Sequence, residues 1–191
     1  KVEITTPQRG TRRQLMANAI KNAEDALARQ QADSASQTRL LGELAETFGL
    51  DAPPERIEIY DNSHIQGAHA IGAMVVAGRE GFIKSAYRKF NMKSEGPHAA
   101  TSSDDFAMMR QMIYRRFERA LKEDPERQLT SWPDLLLIDG GKGQLSAVHE
   151  VMDELDLDDI AVVAISKGPD RNAGKEQFHI RGQNSFTLPM D

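Results

Sequence analysis

Two hydrophobic periodicities divide this chain. From Arg9 to Phe48 the apolar positions recur at helical spacing. Leu15, Ala19, Ala23 and Leu27 form one stripe, which Met16, Ile20 and Ala26 widen; Leu40, Leu41, Leu44 and Phe48 form a second. The polar run Gln30–Ser34 between them predicts two helices, about 9–30 and 36–48, with Gly49 as the C-cap of the second. Residues 1–8 read as an extended lead-in. Such an arm is too short to bury its own stripe, and Asp51-Ala52-Pro53-Pro54 punctuates its end. The expected division is therefore an arm over 1–53 and a main domain over 54–191.

From Arg56 onward the period shortens to two. Strands are expected at 57–61, 69–77 and 82–90, the last two joined by Gly78-Arg79-Glu80-Gly81 as a hairpin turn. A helix follows from Ser102 to about Glu123, with Phe106, Met109, Ile113, Phe117 and Leu121 along one side. Ser102 and Asp105 fit its capping box as Ncap and N3. Then come a strand at 134–138, a helix from Gly143 to about Leu155, a buried β-branched strand at 160–165, and a terminal hairpin of 176–180 and 185–188 around Gly182. Three strands followed by alternating helix and strand predict an α/β fold: a mixed sheet flanked by helices, in the layout of ribonuclease H-like proteins, preceded by the helical arm.

Composition narrows the chemistry. With no cysteine, disulfides, thiolate catalysis and cysteine-based zinc sites are excluded. No apolar run approaches a membrane span, and the N-terminus lacks a signal-peptide pattern. A formal net charge of −5 argues against a general nucleic-acid coat but leaves room for a local basic face. The first residue is Lys, so a fragment of a longer protein is expected.

Two apolar runs end on an aspartate: Ile57-Glu58-Ile59-Tyr60-Asp61 and Leu135-Leu136-Leu137-Ile138-Asp139. Alternation puts Ile57, Ile59 and Asp61 on one strand face, and Leu135, Leu137 and Asp139 likewise. Each Asp either starts a turn or delivers a carboxylate to a divalent cation, which prefers anionic oxygen. Lys142 follows Gly140-Gly141 at a strand-to-helix junction, where backbone N–H groups favour phosphate. The loop lacks Walker A spacing, so nucleotide binding is not expected. Lys84, Arg88, Lys89 and Lys93 surround Tyr87 and Phe90, with Lys84, Arg88 and Phe90 expected on one strand face. DNA-backbone contact and solvated edge-strand charge both fit this run. Arg110, Arg115, Arg116, Arg119 and Lys122 read as an exposed helix face.

In order along the chain stand Asp61-Asn62-Ser63-His64-Ile65-Gln66-Gly67, Tyr87-Arg88-Lys89-Phe90-Asn91, Asp104-Asp105-Phe106-Ala107-Met108 and Leu137-Ile138-Asp139-Gly140-Gly141-Lys142-Gly143-Gln144. This set resembles the C-terminal nuclease region of the UvrC family, the incising component of the excinuclease ABC system of bacterial nucleotide excision repair. The likeness implies a metal-dependent DNA endonuclease with a ribonuclease H-like core. Such an enzyme cuts 5′ of a lesion in damaged double-stranded DNA after its excinuclease partner UvrB has loaded, in the cytoplasm. Asp61 and Asp139 match the family's two central catalytic acids and metal ligands, for Mg2+ or Mn2+. Asp105 matches a further acid and also has a complete explanation as a helix cap. His64 belongs to the motif, placed either beside the metal's own ligands or on a turn backbone. The family's catalytic histidine lies in a helix beyond the matching segment, and none of the five histidines here occupies it. A ribonuclease H-like body that only docks DNA or UvrB is the alternative reading.

Overall fold

The computed structural model describes residues 6–65, 69–100, 104–168 and 176–188, with the backbone alone for 63–65, 69 and 70. The elements are α1 (Gly10–Phe48), β1 (Arg56–Ile65), β2 (His69–Gly78), β3 (Gly81–Phe82), a 3-10 turn (Lys84–Ala86), β4 (Arg88–Asn91), α2 (Asp105–Glu123), β5 (Leu135–Asp139), α3 (Lys142–Glu154), β6 (Ala161–Ser166) and β7 (Gln177–Ile180). The strands form one mixed sheet in the order β3-β2-β1-β5-β6-β7, with β4 also paired to β2. β1, β5 and β6 run parallel at its centre, while β2, β4 and β7 are antiparallel to their neighbours.

Alternation along the central strands separates two cores. Tyr60, Leu136 and Ile138 face α2 and α3, where they pack with Met109, Met112, Ile113, Phe117, Val148 and Val151. Ile57, Leu135 and Val163 face the other way, against Leu41, Leu44 and Phe48 from the end of α1. One buried polar network pins α2 to β1. Glu58 is fully buried; it accepts hydrogen bonds from Arg56, from Arg116 at 2.8 and 3.2 Å, and from the Tyr60 hydroxyl at 2.7 Å. Burial and the adjacent Glu58 charge raise the Tyr60 phenol well above its ordinary value, so it stays a neutral donor.

Five expectations are corrected. The strand expected at 57–61 runs on to Ile65, paired to β2 throughout, so Asp61 lies within β1 rather than at its end. The arm is one 39-residue helix rather than two. Gln30–Ser34 contains neither Gly nor Pro, and Thr38 Oγ1 donates to the Ser34 carbonyl at 2.9 Å within the continuing helix. Most of its length stays exposed, including Leu15, Ile20 and Leu27; Gly49 caps it in the left-handed conformation, as expected. The strand expected at 82–90 is interrupted. The β2 register steps by three residues between β3 and β4, the length of the 3-10 turn that absorbs them. Lys84 therefore sits in that turn and shares no strand face with Arg88.

Helix α2 begins at Asp105, capped by Asp104, whose Oδ1 accepts from the Ala107 N–H at 2.9 Å; Asp105 is its first residue and not the third, and Ser102 lies outside the described residues. The terminal hairpin reduces to β7 and a single bridge, in which Phe178 and Phe186 exchange backbone hydrogen bonds at 2.8 and 3.1 Å. Of the lead-in, residues 1–5 are outside the described set and 6–8 carry no regular structure.

Candidate active site

The parallel register of β1 on β5 runs from Ile57 opposite Leu135 to Tyr60 opposite Ile138. Asp61 and Asp139 are the next residues on each strand. In-register neighbours project to the same face, so both carboxylates leave the sheet side by side, about 4.8 Å apart at the backbone. Both residues are exposed. Partial burial raises the Asp61 carboxyl above its ordinary value, and the Asp139 charge raises it further. A hydrogen bond from the Asn62 backbone and the charge of Lys167 pull it partly back. Asp139 ends its strand as expected, whereas Asp61 lies mid-strand because β1 continues to Ile65 against β2; parallel pairing still brings the two like charges together.

The loops around the pair are built on close approach. After Asp139, the Gly140 N–H donates to the Ile165 carbonyl at 2.9 Å, and the Gly141 N–H donates to Gln144 Oε1 at 3.1 Å. A Cβ on Gly140 would come within 2.7 Å of the Gln144 side chain, and one on Gly143 within 2.5 Å of the Phe106 ring. Glycine at 143 therefore lets the starts of α2 and α3 meet. Asn62 ties the same corner to β1, since its Nδ2 donates to the Asp105 carbonyl at 2.9 Å. Its Oδ1 is buried without a partner among the described residues.

Asp105 is thereby fixed one hydrogen bond from the strand that carries Asp61. Among the described residues no group of three or more His, Cys, Asp or Glu side chains is placed to hold a metal, so its carboxylate does not join the pair as a ligand set. The His64 backbone pairs with Ala70, and its side chain is outside the described residues. Lys142 opens α3 and lines a cleft of about 290 Å³ with His149, Asp153, His179 and Arg181. Its charge helps hold His179 below the ordinary imidazole value. Arg88 donates from one guanidinium nitrogen to the Ser85 and Tyr87 carbonyls at 3.1 and 2.8 Å, bracing the 3-10 turn.

Sequence reading missed two neighbours of the acids. Lys167 directly follows β6, the third parallel strand, and its charge acts on Asp61. Asn62 follows Asp61 directly; only the fold reveals that it reaches across to α2.

The family model described as the UvrC RNase H endonuclease domain matches residues 45–191. UvrABC system protein C of Cereibacter sphaeroides is 56% identical over 191 residues, an alignment covering 100% of this chain and 30% of that protein. The protein of the same name from Sphingopyxis alaskensis is 58% identical over 192 residues, covering 100% and 29%. The chain thus spans about 30% of the length of these relatives. Among solved structures, Ciona intestinalis endonuclease V in complex with a 24mer DNA containing an inosine followed by a ribo-adenosine matches with a TM-score of 0.42 and 14% identity, covering 76% of this chain and 59% of that one. The catalytic domain of human endonuclease V matches with a TM-score of 0.40 and 14% identity at the same coverages.

Proposed function

We propose, on the premise that this chain belongs to the UvrC RNase H endonuclease domain family, that Asp61 and Asp139 hold a divalent cation and that the domain hydrolyses a DNA phosphodiester. The observation that carries this is the pairing of the two carboxylates at adjacent parallel strands, where the Asp139 charge raises the Asp61 carboxyl. Two like charges held side by side are costly unless a counter-charge lies between them. Hard oxygen donors of this kind fit Mg2+ or Mn2+, which keep several waters and take one or two protein carboxylates. When bound, the cation supplies Lewis acidity and lowers the pKa of its water.

The chain's own residues do the remainder. Asp61 and Asp139 fix the site on rigid strands, and Lys167 offsets part of their charge. Asn62 and Gly143 hold the start of α2, with Asp105, against β1. Lys142, Arg88 and Lys84 supply cations for DNA phosphates. In the full-length protein this domain makes the 5′ incision beside a lesion in double-stranded DNA, with UvrB as partner, in the cytoplasm. No helix among the described residues is long and apolar enough to cross a membrane. Calorimetric titration of Mn2+ into wild type and Asp61→Asn, alongside an incision assay of the full-length variants, tests the reading. Wild type binds and cuts, and Asp61→Asn does neither while keeping its melting temperature. Undiminished binding or cutting by Asp61→Asn rejects it.

A further inference from the structure

Two basic runs that are separate in sequence meet at one edge of the sheet. β4 is an edge strand paired to β2, with Lys89 opposite Ala73, which is itself opposite Asp61 on β1. Directly paired residues project to the same face, so Asp139, Asp61, Ala73 and Lys89 form one row across four strands. Lys89 stands two strand spacings from Asp61, about 10 Å at the backbone. The residue between them is Ala73, whose methyl raises no barrier over the sheet.

Around the edge, on the opposite face that α2 covers, Lys89 also borders a cleft of about 470 Å³ between β4 and α2, lined by seven cationic and three acidic side chains. In a chain of formal charge −5, that is a local reversal of sign. Arg56 and Arg116 are committed to Glu58. Arg115 donates to the Asn91 carbonyl at 2.8 Å, lies over the Phe90 ring at 5.7 Å, and so stiffens the cleft wall. The exit of β4 is clamped by Gln111, 1% exposed, which accepts from the Lys93 N–H at 2.7 Å and donates to the Lys93 carbonyl at 2.8 Å. Lys93 thus projects from a fixed point. Among the described residues neither the Lys89 nor the Lys93 ammonium has an acidic partner. Rigid mounting with uncommitted charge is what a phosphate contact requires, because long side chains otherwise lose much of their gain in ordering.

We propose that the β4 edge carries the phosphodiester backbone of the DNA flanking the cut, with Lys89, on the same face as the acid pair, holding a phosphate about three nucleotides from the one at Asp61 and Asp139, given about 3.4 Å of axis per nucleotide on one strand. Lys93 continues the track. The assignment rests on the nuclease reading above, and the test separates the two. Fluorescence anisotropy of labelled duplex DNA with the full-length protein, in EDTA and across a salt series, reads backbone contacts without cleavage. Lys89→Gln and Lys93→Gln each lower the slope of log affinity against log salt by about 1 and weaken binding to unrelated sequences alike. Lys21→Gln on the exposed arm leaves the slope unchanged. Asp61→Asn abolishes incision and keeps the slope. An unchanged slope in both lysine variants, with incision still lost in Asp61→Asn, overturns the track and leaves the nuclease reading standing. Persisting incision by Asp61→Asn overturns the nuclease reading, and with it the placement of Lys89 relative to the cut.

Discussion

Replacing Gly143 with alanine tests whether the corner that carries Asp105 depends on one missing methyl. The new Cβ would stand 2.5 Å from Phe106 Cε1 and 2.7 Å from Cζ, against about 3.5–4.0 Å for carbons in contact. The ring is 45% exposed, so it swings outward and leaves the helix axes nearly in place. Losing roughly half of a phenylalanine's burial costs about 1–1.5 kcal/mol, and residual crowding adds about 1 kcal/mol. Against this, alanine gains up to about 1 kcal/mol over glycine in a helix, less in the first turn. The net expectation is a loss of about 1–2 kcal/mol. In a Phe106→Ala background the clash is gone and the same substitution becomes neutral or stabilising, so the two positions couple by about 2 kcal/mol. Urea denaturation of the four proteins measures the cycle. Coupling below about 0.5 kcal/mol, the range in which independent sites add, refutes the reasoning.

Glu58→Gln leaves Arg56 and Arg116 without their buried counter-charge and lowers stability by about 3–5 kcal/mol in urea melts; a loss under about 1 kcal/mol would show the network to be dispensable. Mn2+ at about a hundred times its Kd stabilises wild type by about 2.7 kcal/mol and raises its melting temperature by several degrees, whereas Asp61→Asn and Asp139→Asn show no shift; equal shifts in all three would place the ion elsewhere. Burial, then the Lys142 charge, holds His179 below the ordinary imidazole value, and burial with Arg181 does the same to His149. A depressed folded value means the unfolded chain takes up protons first, so this stability is complete above about pH 6.5 and drains as pH falls through the folded values. Urea midpoints therefore decline between about pH 7 and pH 5, and a flat or rising midpoint contradicts the assignment.

Legibility followed the kind of signal each element carries. β5 and α3 were readable almost to the residue, because a four-residue apolar run, a double glycine and a 3.6-residue stripe each admit one structure. The broken edge strand was not. Alternation over 82–90 looks continuous, and only pairing to β2 forces three residues into a 3-10 turn. The start of α2 shifted because the expected Ser102–Asp105 capping box overlooked Asp104, the residue whose side chain caps the helix. The unbroken α1 has a different cause: a polar stretch without Gly or Pro weakens a stripe without ending a helix.

The acid pair was legible for a reason that the basic track was not. Asp61 and Asp139 each follow a hydrophobic run, so alternation fixes the face each takes even though β1 continues past Asp61 to Ile65, and a parallel sheet needs only strand adjacency to bring them together. Lys89 and Arg115 belong to different elements, and each alone reads as an exposed charge. Their convergence depends on which edge β4 joins and on how α2 crosses it, a crossing set by Gly72. A Cβ on Gly72 would collide with Met112 of α2 and crowd Met92. Gly72 pairs with Asn62 on one side and Phe90 on the other, so it stands next to the row that runs from Asp61 through Ala73 to Lys89. Carboxylates that follow a hydrophobic run are placed by local pattern, while a cationic edge is assembled from long-range packing.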